Sequence, residues 1–284
     1  MIDPSGLRTS RTIEPMGILG GSRDLVAISM VVVVLTRLIE GPAAWLAGIC
    51  LMAAVVLGTL QVLGDGVPAT TGPGVPIEAL VTPGVTVVAI FGTLRLVPIG
   101  PLLIPAVVVG GWLLLRVLGT EVRLLAAATG PSGADRTAVR AEALIVGFLA
   151  FTGMAALVPG GLPEPGVATG GPTGAQLALL ATADAVVAFL LGYRAGALRT
   201  SILRDVSWFA LTSASVIAIA AAALRTMEIP RLLGPALLVL VFFLWDAMHA
   251  DSGSRRRTSR RLWETILLVV LGVVVVAWSV RLRS

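Results

Sequence analysis

The chain has 284 residues, of which 56% are hydrophobic and only 13% charged, and its mean hydropathy is +0.96. Soluble globular domains do not combine such values, so a soluble fold is excluded at the outset. The net charge is +5 and the isoelectric point about 11.0, yet the basic residues are spread through short segments between apolar runs, which points to orientation in a bilayer and away from nucleic acid.

The residue inventory removes several chemistries. All 21 basic residues are arginine, so there is no Schiff-base lysine, no Ser-Lys dyad and no P-loop lysine. His249, Cys50 and Tyr193 are each the sole residue of their type. An intrachain disulfide, a Cys/His zinc site and bis-histidine haem ligation are therefore impossible within one chain. No metal and no cofactor are expected. Cys50, inside an apolar run, reads as a small packing residue.

A helix needs about 20 apolar residues to cross about 30 Å of hydrocarbon. In chain order the candidates are 25–40, 43–63, 81–97, 102–118, 141–158, 176–193, 207–224, 232–249 and 263–280. The sequence thus predicts an all-α integral membrane protein, a polytopic transmembrane helical bundle of about nine spans. Residues 1–24 form a cytoplasmic N-terminal segment, 25–280 a single transmembrane domain, and 281–284 a short tail. The first span reads as an uncleaved signal anchor. A separate soluble domain has no room, because no inter-span segment exceeds about 25 residues.

The connections carry their own signals. Arg37 and Glu40 are three apart near the end of the first span and are expected to pair. Gly41-Pro42 then forces a tight hairpin. The loops 64–80 and 159–175 are rich in Gly, Pro and Thr and lack arginine. The similar runs Gly66–Pro73 and Gly166–Pro172 lie 100 residues apart and hint at an inverted repeat, although such loops also resemble one another by chance. Val97-Pro98-Ile99-Gly100-Pro101, beside Arg95, reads as a turn between two helices; a broken helix lining a transport site has the same composition.

Arginine counting orients the chain. With the N-terminus in the cytoplasm and nine alternating spans, the inner side holds Arg8, Arg11, Arg23, Arg116, Arg123, Arg136, Arg140, Arg194, Arg199, Arg204, Arg255, Arg256, Arg257, Arg260 and Arg261. Outside remain Arg37, Arg95, Arg225, Arg231, Arg281 and Arg283. A rival layout of seven to eight spans treats 25–40 as half-inserted and 83–118 as one crossing, moves 64–80 outside, and changes nothing after residue 119.

Four features carry possible function. Asp184 lies midway along its span, about 12 Å from either end. It must pair, face the interior or be neutralised, and Ser213 and Ser215 on the next span are candidate partners. Around it, Ala210, Ala214, Ala218 and Ala222 form a four-residue stripe that lets spans six and seven pack closely. Trp245, Asp246 and His249 form a polar cluster at the end of span eight, read as interfacial residues or a proton relay, with Asp246 and His249 placed to bond. Arg255, Arg256, Arg257, Arg260 and Arg261 are dense enough to contact anionic lipid headgroups. Arg194, Arg199 and Arg204 recur at near-regular spacing, as on a short interfacial helix.

Three functions compete. A non-catalytic helical subunit or scaffold of a membrane complex accounts for the scarce chemistry and the small-residue helix faces. The alternative is a secondary transporter or permease with Asp184 as a coupling or substrate-contact residue. An enzyme on lipid-linked substrates is the weakest, because acids, histidines and lysines do not cluster. The expected surroundings are the plasma (bacterial inner) membrane, its lipids, and a membrane-protein partner or further copies of this chain.

Overall fold

In the computed structural model, the described residues are 16–66, 74–127, 132–158, 161–162, 173–227, 229 and 232–250. They form eight helices in sequence: α1 (Met16–Leu35, continued by a 3₁₀ turn at Thr36–Leu38), α2 (Pro42–Gly66), α3 (Glu78–Leu94), α4 (Leu103–Ala126), α5 (Gly133–Leu157), α6 (Gly174–Ala197), α7 (Leu203–Thr226) and α8 (Leu233–Ala250). No strand occurs among the described residues.

Local sequence explains where these helices start and stop. Gly41 adopts φ 66°, a left-handed conformation that only glycine takes up without strain, and Pro42 follows as the first residue of α2, where its missing N–H removes no bond. Two capping boxes open α5 and α6. The Ser132 hydroxyl accepts from the Asp135 amide at 3.2 Å, and Thr173 and Gln176 cap each other in the same way. Both caps lie in polar sequence outside the apolar runs, so α5 begins at residue 133 where apolarity alone placed a span at 141. Similarly, α1 begins inside the segment expected to precede the first span.

α3 occupies the middle of the bundle. It packs against α1, α2, α4, α5 and α6, and all but a few of its residues from Ala79 to Leu94 are buried. One face supplies Val85 and Ala89 to a cluster with Phe151, Leu191, Ile217 and Phe242. Another supplies Val87, Ile90 and Phe91 to a cluster with Val33, Leu51 and Leu114. α3 meets α5 at the closest helix–helix approach: a Cβ on Gly92 would stand 2.5 Å from the Gly153 Cα. The most extensive pairing is α6 with α7.

The outside of the bundle is apolar. Ile28, Leu46, Ile49, Leu57, Ile104, Val108, Trp112, Val186, Leu211 and Ile219 are all exposed. A water-soluble bundle carries polar residues there, and an apolar surface this extensive needs an apolar surrounding. Five helices, α2 and α4 to α7, are long and apolar enough to cross a membrane, and α3 and α8 are shorter apolar helices. The protein is an all-helical bundle with the properties of a membrane protein.

Residues 83–118 are not one continuous helix but two, α3 and α4, separated by the turn at 95–102. The candidate span 263–280 and the paired loop motifs at 67–73 and 166–172 lie outside the described residues, as do Arg255, Arg256, Arg257, Arg260 and Arg261. Arg194 belongs to α6 and Arg204 to α7, with Arg199 in the turn between them, so no separate interfacial helix forms there.

Candidate functional site

Asp184 is wholly enclosed, and its partner is Arg225 near the end of α7. The Arg225 Nη2 donates to Asp184 Oδ2 at 2.8 Å, and its Nη1 donates to the Gly161 carbonyl at 3.0 Å. Ser213 and Ser215 do not take this role. Ser215 is exposed and donates to the Leu211 carbonyl at 2.9 Å; Ser213 is buried, with no hydrogen-bond partner among the described residues.

The register of α6 against α7 explains the difference. Gly192 lies against Ala210 and Ser213, and Gly196 against Val206, so the helices run antiparallel and Asp184 stands level with residues near 220. Ser213 is then about 10 Å short of it at 1.5 Å per residue. Helical side chains lean toward the N-terminus of their helix, so Ser213 points away from Asp184 while the long Arg225 side chain reaches back to it. Ala210 and Ala214 are buried on the α7 face toward α6, and Ala218 and Ala222 are half-buried.

The opposite end of α6 holds a denser group. Arg194 is buried and grips Glu121 of α4 with two hydrogen bonds, Nε to Oε1 at 3.1 Å and Nη2 to Oε2. Beside it, Arg116 donates to Glu142 of α5 at 3.1 Å, and Thr120 donates to the same carboxylate oxygen at 2.9 Å. Asp246 of α8 receives Arg199 in a close ion pair and Arg140 of α5 at 3.5 Å. Burial lowers the pKa of Arg199, Asp246 opposes that shift, and Arg140 adds to it.

Trp245 and His249 belong to the same corner. The His249 ring stacks at 4.4 Å on Trp245 and meets Phe209 edge-on at 5.4 Å, while its Nδ1 lies 2.9 Å from the Trp245 carbonyl. Asp246 therefore serves the arginines. Between α5, α6 and α8 these side chains frame a cleft of about 450 Å³, lined by Arg136, Arg140, Arg194, Arg199, Asp246 and the apolar Leu144, Leu191 and Phe242. Asp184 is not among its lining residues; it lies ten residues, or about 15 Å, along α6 from Arg194.

At the other end, Arg95 donates to the carbonyls of Thr36 and Ile39 at 2.9 and 2.8 Å and lies over the Phe91 ring, and Arg37 donates to the Val97 carbonyl. Arg37 thus goes to backbone rather than to Glu40. These bonds satisfy the last carbonyls after α1 and tie that end to the turn after α3. The segment around Pro98 is a turn between two helices, α3 and α4. Cys50 is exposed on α2 and not packed inside.

Sequence reasoning missed Glu121 and Glu142, and it did not connect Arg225 with Asp184. A signal existed: Glu121, Glu142 and Arg225 are ionisable residues in or beside long apolar runs, and a charge placed there requires an opposite partner. No group of three or more histidine, cysteine or acidic residues capable of holding a metal occurs among the described residues. Searches against protein-family models, curated proteins and solved structures found no match for this chain.

Proposed function

We propose that the chain is a non-catalytic helical subunit or scaffold of a membrane complex, crossing the plasma membrane about nine times with its N-terminus in the cytoplasm. The observation that carries this reading is the enclosure of Asp184. A coupling carboxylate must exchange protons or substrate with water during its cycle, but here it is fully buried, fixed by Arg225, and remote from the cleft. The orientation is supported by the meeting of Arg116, Arg140, Arg194 and Arg199 at one end of the bundle, the end that arginine counting assigns to the cytoplasm.

A second reading, secondary transport through Asp184, rests on one atom: Asp184 Oδ1 is buried and has no hydrogen-bond partner among the described residues. One pair of measurements separates the two. The full chain purified in mild detergent should carry a stoichiometric membrane-protein partner or further copies of itself, and Asp184→Asn should reduce that assembly together with stability. Loss of proton-coupled flux in reconstituted vesicles by an Asp184→Asn protein of unchanged stability and assembly would instead establish transport.

A further inference from the structure

We infer that the cleft between α5, α6 and α8 is a binding site for a phosphoryl anion, presented by a lipid headgroup or by a free phosphate. Four guanidinium groups line it, from Arg136, Arg140, Arg194 and Arg199, against a single lining carboxylate, Asp246. Counting Glu121, which holds Arg194 from behind, two positive charges remain in excess. Arg136 has no ion-pair partner among the described residues, and Arg140 meets Asp246 only at 3.5 Å through its Nε, with its side chain half exposed. Arg194 and Arg199 are already committed to carboxylates, so they set the local field and fix the walls.

The neighbouring cations are held by their own partners: Arg116 by Glu142 at 3.1 Å, Arg204 by Asp205 at 3.6 Å, and Arg123 donates to the Thr120 hydroxyl at 3.0 Å. Arg136 and Arg140 are exposed enough for an incoming anion to reach, and the gathering of four guanidinium groups around one cleft concentrates positive potential there. The guanidinium fork binds phosphoryl oxygens in pairs, which a halide cannot match, and a phosphoryl group offers more acceptor oxygens to several arginines at once than a carboxylate does. A volume of about 450 Å³ admits a headgroup, and the apolar wall of Leu144, Leu191 and Phe242 suits the glycerol and first methylenes attached to it. This inference does not depend on the scaffold reading, since a transporter would hold the same cleft.

The test uses the full chain in detergent, with native mass spectrometry and titrations of two probes, phosphatidylglycerol and inorganic phosphate, against phosphatidylcholine as the zwitterionic reference of zero net charge. Arg136→Gln and Arg140→Gln are compared with a control in which Arg255, Arg256 and Arg257 are all glutamine. Each cleft variant should bind the preferred probe about tenfold more weakly, the loss of one charge-assisted contact, while the control retains the cleft component. Preference for phosphatidylglycerol identifies the headgroup as the source; equal response to inorganic phosphate identifies a soluble ligand. Arg136 is exposed, so its variant should melt at the wild-type temperature and report binding alone. Unchanged affinity in both cleft variants, loss confined to the control, or no binding of either probe to the wild type would each overturn the assignment.

Discussion

Removing one member of the Asp184–Arg225 pair should be far more damaging than removing both, and the two single losses should be unequal. The Asp184 side chain is 0% exposed and the Arg225 side chain 10%. Arg225→Leu leaves a carboxylate with no cationic partner and no route to water, and an uncompensated buried charge of this kind costs about 3–5 kcal/mol. Asp184→Leu leaves a guanidinium that still donates to the Gly161 carbonyl and sits one residue from the end of α7, from where it can extend toward water. That loss should be near 1–2 kcal/mol, roughly the value of the charged hydrogen bond. The double variant Asp184→Leu/Arg225→Leu replaces the pair by apolar groups and should return to within about 1 kcal/mol of the wild type. The expected separation of at least about 2 kcal/mol between Arg225→Leu and the double variant is roughly thirtyfold in the folding equilibrium. Reversible unfolding in bicelles, followed by helix content, measures all four proteins as a cycle. A double variant no more stable than Arg225→Leu, or two single variants of equal cost, would refute the account.

Three further outcomes follow from named contacts. Gly92→Ala would drive a Cβ to 2.5 Å from the Gly153 backbone and should destabilise by about 2 kcal/mol or more, whereas Gly119→Ala, inside α4 with nothing within 4 Å, should not destabilise and should gain up to about 1 kcal/mol of helix propensity. Arg95→Ala frees the carbonyls of Thr36 and Ile39 and should lower stability by about 1–3 kcal/mol, with faster amide exchange at the end of α1 as the local readout. Cys50, the sole cysteine, is exposed on α2 about 12 Å from its start; a sulfonated maleimide should label it only after detergent unfolding, and labelling in sealed vesicles would remove α2 from the lipid.

Hydropathy and helix punctuation made the secondary structure legible. Sixteen or more largely apolar residues in a run admit little else, and the eight described helices overlap the first eight candidate segments in order. Their ends were less legible, because capping residues such as Ser132 and Thr173 extend a helix into polar sequence that hydropathy discards. The tightest contact was hidden for a different reason. The alanine stripe on α7 drew attention to α6, yet the closest backbone approach is Gly92 with Gly153, two single glycines on α3 and α5 that belong to no repeating pattern. Asp184 could be singled out from sequence, but its partner could not, since choosing between Ser213 and Arg225 requires the vertical register of two helices.

That register is where the charges act. In lipid, sliding one apolar helix along another exchanges one set of van der Waals contacts for a similar set, so apolar packing alone fixes depth weakly. Among the described residues, the fully buried carboxylates are Glu121, Glu142, Asp184 and Asp246, and each meets an arginine from a different helix or turn. The pairs join α4 to α6, α5 to α4, α6 to α7, and α8 to the α6–α7 turn and to α5. A displacement of one helical turn, about 5.4 Å, would break any of them and leave the buried carboxylate without its cation. Five such ion pairs link α4 to α8 in a continuous chain of constraints. Arg136 and Arg140, which this chain leaves without full compensation, face the cleft beside the committed Arg194 and Arg199.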